Sequence, residues 1–161
     1  MSKLNIKSIM LDTSYCIRLM DESDLLHQNA LDYFRYFSSE KITIHISTVA
    51  IAEYGVLDDV NNLPLDYLQI ESFDFRDAET AGKFHNQVIG KKQNIDGYNR
   101  RIIANDIKIF AQTHTKQIDA IITKDIESYS RYVKPLTNAG LLQIKFLDLN
   151  IPLNTALGEL F

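Results

Sequence analysis

The chain has 161 residues, 45% hydrophobic and 24% charged, which fits one domain, residues 1–161, built around a single core. Three prolines and six glycines exclude a collagen-like or Pro/Gly-rich disordered chain, and a lone cysteine, Cys16, excludes an internal disulfide and suits a reducing cytosol. No apolar run is long enough to span a bilayer, and the opening MSKLNIKSIMLD lacks the layout of an export signal, so the expectation is a cytoplasmic protein with no membrane contact. The net charge of −4 hides an asymmetry: residues 1–80 carry 14 acids and 6 Lys/Arg, whereas residues 91–134 carry 9 Lys/Arg and 5 acids.

Taken in chain order, residues 6–11 (IKSIML) read as a strand and 14–20 as a short helix. Residues 24–37 read as a longer helix, with Leu25, Leu26, Ala30, Leu31, Phe34 and Phe37 at helical spacing. The β-branched run 42–46 (ITIHI) is a strand, and Ser47 and Thr48 offer N-caps for a helix to about Val60. Asn61-Asn62-Leu63-Pro64 breaks the chain. A short strand at 67–73 and a helix at 76–88 follow, then a polar loop at 89–100. Residues 101–113 read as a helix, 118–123 as a strand, 126–137 as a helix and 143–147 as a last strand. The tail IPLNTALGELF packs on the core or on a partner. Strands separated by helices imply crossovers and a parallel sheet covered on both faces, with ligands outside the carboxyl ends of the strands.

Two acids close strands: Asp12 ends IMLD and Asp125 ends AIITKD. Either could simply cap the following helix. Two others lie in apolar helical stripes. Glu53 has Val49, Val56 and Leu57 at helical spacing, and Asp106 has Ile102, Ile103, Ile109 and Phe110. An unpaired carboxylate on a buried face costs several kcal/mol, so a salt bridge, a polar cluster or a bound metal must compensate. Arg18 is the candidate counter-ion, but one arginine cannot neutralise four acids. Oxygen ligands at one strand rim suit a hard divalent ion, Mg²⁺ or Mn²⁺. No EF-hand loop is present. The single cysteine and His27, His45, His85 and His114 are scattered without zinc-ligand spacing.

These residues carry a resemblance. LDTS at 11–14, STVAIAEYGV at 47–56, ANDIKIFAQ at 104–112 and IITKD at 121–125 resemble, in order and approximate spacing, the four motifs of PIN domains of the VapC-like toxin ribonuclease kind. FLDLNIPL is similar to the way many of these chains close. The departures are the missing glycine in KIFAQTHTKQID and the long polar loop at 89–100.

The resemblance implies a three-layer α/β/α sandwich with a central parallel sheet, and an acidic pocket holding Mg²⁺ or Mn²⁺. It implies phosphodiester hydrolysis, usually of RNA, by an endoribonuclease. Asp12, Glu53, Asp106 and Asp125 match the acidic positions; Ser14 and Thr123 match the hydroxyls of the first and fourth motifs. Lys91, Lys92, Arg100, Arg101, Lys124 and Arg131 would guide an RNA backbone through salt-dependent contacts. Small PIN domains are often the toxins of toxin–antitoxin pairs, which implies an antitoxin partner and a homodimer. The rival of another class is a catalytically silent PIN fold kept as a binding or scaffold module, whose signature would be loss of the acids. A phosphatase of the haloacid dehalogenase type is disfavoured by Ser14, where that family places a second Asp. A Rossmann enzyme is disfavoured by the absence of G-x-G-x-x-G after the first strand.

Overall fold

A computed structural model describes residues 3–90 and 103–158. The central strands are apolar runs because both of their faces are covered. Ile9, Met10 and Leu11 of β1 (Ser8–Leu11) and Ile121 and Ile122 of β4 (Ala120–Thr123) are fully buried. With β2 (Thr43–Ser47), β3 (Gln69–Glu71) and β5 (Lys145–Asp148) they form one five-stranded, all-parallel sheet in the order β3-β2-β1-β4-β5. Register pairs Ile9 with Ile44 and Leu11 with Ile122.

The chain winds outward from β1 through β2 to β3, returns to β4 on the far side of β1, and ends at β5. Right-handed crossovers in opposite directions put helices on opposite faces. α1 (Thr13–Met20) packs with α2 (His27–Ser39), while α4 (Phe75–Ile89) packs with α5 (Asn105–Thr115) and α7 (Lys134–Asn138). The expected three-layer α/β/α sandwich is therefore observed. The strand order reverses between β1 and β4, and the crevice beyond their carboxyl ends is the switch point where such sheets bind ligands.

Several boundaries differ from the sequence expectation, each for a local reason. The second helix starts at His27 rather than 24, because Asp21 and Asp24 turn the chain, accepting from the N–H groups of Ser23 and Leu26 at 2.9 and 2.8 Å. The helix expected to reach Val60 is α3 (Thr48–Tyr54), capped by Ser47. Beyond it, Asp59 caps a separate 3-10 turn, Val60–Asn62. α5 begins at Asn105 rather than 101. The helix expected over 126–137 is α6 (Ile126–Ser128) followed by a π-helical Tyr129–Val133 and then α7. The first strand starts at Ser8 because Asp119 takes the Lys7 and Ser8 N–H groups at 2.6 and 3.2 Å. The tail forms α8 (Leu153–Ala156) and packs on α2, where Asn29 and Tyr33 hold the carbonyl of Ile151. Cys16 is buried, and burial pushes its thiol pKa up, as a small core residue requires.

One buried acid outside the rim sets the position of α5. Asp77, in the capping box of α4, is fully buried. It accepts from the Thr115 hydroxyl, from the Gln112 amide at 3.2 Å and from the Asp74 N–H at 2.9 Å. The first turn of α4 is thus tied to the last turn of α5, so the two helices run antiparallel. The opposite end of α5, carrying Asn105 and Asp106, is delivered to the carboxyl rim of the sheet.

Candidate functional site

Asp12 leaves the end of β1 and its side chain N-caps α1, but it also does more than cap. It is buried, and its Oδ2 accepts from the hydroxyls of Ser14 and Thr123, both at 2.7 Å. Those two hydroxyls are 2.9 Å apart. Burial pushes the Asp12 pKa up, while the Ser14 and Thr123 hydroxyls and nearby N–H groups pull it back. Asp125 leaves the end of β4 and is exposed. It caps α6 through the N–H groups of Glu127 and Ser128, and its own N–H donates to Thr123 Oγ1 at 3.0 Å.

Asp106, at the start of α5, shares the hydroxyl of Ser128 with Asp125. Burial raises its pKa, and the negative charges of Asp12, Asp125 and Glu53 raise it further against the Ser128 hydrogen bond. Glu53 joins from α3, where it accepts from the Thr13 hydroxyl and, at 2.8 Å, from the Asn105 amide. The four acids, from four separate elements, are therefore brought to the rim beyond the β1–β4 switch point, close enough for Asp12, Asp125 and Glu53 to act on Asp106, with Ser14 and Thr123 against Asp12 and Thr123 also against the Asp125 N–H.

None of the four acids forms an ion pair among the described residues. Arg18, the expected counter-ion, instead faces Asp24 at 3.4 Å and donates to the Ser14 carbonyl, because α1 turns it toward the 21–24 loop. Nor is Glu53 embedded in an apolar stripe of its own helix. α3 ends at Tyr54, leaving Val56 and Leu57 84% and 66% exposed.

The donor set is carboxylate and hydroxyl oxygen with no thiol or imidazole, which fits Mg²⁺ or Mn²⁺ by donor type and by uncompensated charge. Among the described residues, no three acids, histidines or cysteines already stand as a pre-formed metal cage; here the carboxylates rest on hydroxyl and amide donors.

Of the basic residues, Lys124 and Arg131 are exposed on the β4 side of the rim, whereas Lys91, Lys92, Arg100 and Arg101 lie outside the described residues. Tyr129 packs on Phe146 and Tyr132 on Phe110, so both are packing residues; Tyr98 lies outside the described residues. The sequence reading missed Thr13, Asn105 and Ser128. Their signal was adjacency: Thr13 and Asn105 each neighbour a site acid, and Ser128 lies three residues after Asp125. A cleft of about 1080 Å³ lies at the other end of the sheet, lined by Lys7, Asp119 and Lys145 among others, and includes none of the four acids.

The sequence matches no family model and no curated protein. Solved structures do resemble it. A chain of the VapBC2 complex from Rickettsia felis bound to a promoter DNA fragment superposes with a TM-score of 0.61 at 18% identity, over 88% of this chain and 99% of that one. The fold is PIN-like. A chain of the DNA-bound VapBC from Salmonella typhimurium gives 0.59 at 16% identity, over 88% and 98%. VapC20 of Mycobacterium tuberculosis, a toxin that cleaves the sarcin–ricin loop, gives 0.55 at 17% identity, over 85% and 98%.

Within this PIN-like fold, Thr123 holds Asp12 and the Asp125 backbone together. Thr123→Val removes that hydroxyl while keeping the side chain's shape. It is expected to lower divalent-metal affinity, read by calorimetry, by about 10–100-fold, the usual scale for groups that orient ligands. Unchanged affinity would assign Thr123 to the strand end alone.

Proposed function

We propose that this chain is a divalent-metal-dependent nuclease that cuts RNA internally, acting in the cytoplasm as the toxin of a toxin–antitoxin pair. The observation that carries the reading is the convergence of four unpaired carboxylates, with hydroxyls between them, at the switch point of a parallel sheet. Asp12, Glu53, Asp106 and Asp125 would hold Mg²⁺ or Mn²⁺. When bound, the ion supplies polarisation of the scissile phosphate and a water acidic enough to yield hydroxide near neutral pH. Ser14, Thr123, Thr13 and Ser128 fix the carboxylates by donating hydrogen bonds. Lys124 and Arg131, both exposed, would contact the RNA backbone, and Lys91, Lys92, Arg100 and Arg101 are assigned the same role.

The toxin role and an antitoxin partner are supported by the likeness to chains of the DNA-bound VapBC complexes; a homodimer is what the PIN-domain resemblance implies. Among the described residues no helix is long and apolar enough to cross a membrane.

The test is cleavage of a labelled panel of RNAs and single-stranded DNA in Mn²⁺, Mg²⁺ or EDTA, beside an Asp12→Asn, Asp106→Asn double variant. Metal-dependent RNA cleavage absent from the variant is the expected result. Cleavage that survives in the variant points to a contaminant. The rival reading, a catalytically silent binding module, has loss of the acids as its signature, and all four are present. It requires that neither cleavage nor Mn²⁺ binding be found.

A further inference from the structure

Glu53 is the least supported of the four acids by its own element. It is the last but one residue of a seven-residue helix, where the helix dipole disfavours an anion. The residues at i+3 and i+4, Val56 and Leu57, stand in solvent. Among the described residues, no side chain of α3 donates a hydrogen bond to its carboxylate. The restraint comes from two other helices: the Thr13 hydroxyl at the first position of α1 donates to Oε2, and Asn105 Nδ2 at the first position of α5 donates to Oε1 at 2.8 Å.

An asparagine amide can face either way, and the wrong way places its oxygen against the carboxylate. Lys108, one turn further along α5, decides the matter. Its Nζ lies 3.1 Å from Asn105 Oδ1. An ammonium only donates, so the oxygen of Asn105 must face Lys108, leaving the NH₂ for Glu53.

We propose that Asn105 and Lys108 are positioning residues for Glu53: Lys108 sets the orientation of the Asn105 amide, and the amide holds the Glu53 carboxylate toward Asp12, Asp106 and Asp125. The inference rests on the reading of these acids as metal ligands. It gives Lys108 a role different from a direct contact to RNA phosphate, and the two roles are separable. A phosphate-binding lysine acts on RNA affinity, independently of Asn105. A positioning lysine acts on metal affinity and only through Asn105.

The experiment measures Mn²⁺ affinity by calorimetry without RNA, and kcat and KM for RNA cleavage, in Asn105→Leu, Lys108→Met and the double variant. Thermal melts in EDTA verify folding, and Lys108, only half-buried, provides a variant that folds if Asn105→Leu does not. Asn105→Leu is expected to weaken Mn²⁺ by about 10–100-fold. Lys108→Met should weaken it by a smaller factor, and the double variant should equal Asn105→Leu alone. KM for RNA should stay within about twofold, and raising Mn²⁺ to saturation should restore most of kcat. Mn²⁺ affinity unchanged in Asn105→Leu overturns the proposal, as do additive effects in the double variant. A Lys108→Met variant with raised KM and a shallower salt dependence, but normal Mn²⁺ binding, also overturns it and makes Lys108 a phosphate contact. Each of these outcomes requires that the wild type bind Mn²⁺. If it does not, the metal-site reading has failed, and the positioning role falls with it.

Discussion

Asp106→Asn is expected to lower metal-dependent RNA cleavage by at least about 100-fold, since even groups that only orient a metal's ligands are worth 10–100-fold. The same variant should melt a few degrees higher than the wild type in EDTA. Asp106 is the acid on which burial and the charges of Asp12, Asp125 and Glu53 act together to raise the pKa. Asparagine keeps an acceptor for the Ser128 hydroxyl and removes the charge. A gain of about 1 kcal/mol would shift the melting temperature by roughly 2–4 °C in a chain of this size.

The pH dependence follows from the sign of the shift. A carboxyl whose folded pKa is raised binds more protons in the native state than in the unfolded one, so stability falls as pH rises through that window. The advantage of the variant is therefore largest near neutral pH and shrinks as acid is added. Cleavage assays and melts across a pH series from acid to neutral measure both halves. A variant that cuts like the wild type places Asp106 outside the chemistry. One that melts lower shows that the acids do not crowd one another.

Asp77→Ala carries the largest expected loss of stability, about 3 kcal/mol, or roughly 6–12 °C in melting temperature. Asp77 is fully buried and collects the Thr115 hydroxyl, the Gln112 amide and the Asp74 N–H. Truncation removes the Asp74 N–H's acceptor and leaves the Thr115 hydroxyl and the Gln112 amide only their contacts to the Gln112 and Glu71 carbonyls, both at 3.2 Å. Lys116 keeps its closer partner, Asp74, at 2.5 Å against 3.7 Å to Asp77, so loss of an ion pair is the smaller part of the effect. Asp77→Asn preserves one acceptor and should cost about half as much. Because this cluster fixes the pose of α5, Asp77→Ala should also weaken Mn²⁺ binding at Asp106 even where the protein remains folded. Denaturant melts and calorimetry on the two variants separate these effects. Equal melting of both variants would show that the hydrogen bonds to Asp77 carry no net stability.

The four acids drew attention in the chain because a charge in an apolar context is costly and therefore conspicuous, although for Glu53 the apolar neighbours Val56 and Leu57 stand in solvent. Asp12 and Asp125 interrupt the two most apolar strands, and Asp106 follows a run of isoleucines. The alternation of strands and helices was legible for the same kind of reason, since a strand covered on both faces must be apolar throughout. Helix ends were less legible. Asp24 and Asp59 stop or start turns through side-chain hydrogen bonds that hydrophobic spacing does not register.

The partners of the acids lay beyond the reach of sequence. Thr13 meets Glu53 across 40 residues, Asn105 meets it across 52, and Thr123 meets Asp12 across 111. Thr123 was named by the motif resemblance, but Thr13 and Asn105 are unremarkable until the sheet order β3-β2-β1-β4-β5 sets β1 against β4 and Asp77 delivers the start of α5 to the rim. Arg18 shows the converse: its charge and its nearness in sequence suggested a counter-ion, but the direction of α1 hands it to Asp24. Residue chemistry along the chain singled out Asp12 and Asp106 as carboxylates in need of compensation but not the fully buried Asp77; which hydroxyl, amide or cation supplies it depends on the directions of helices that only long-range packing sets.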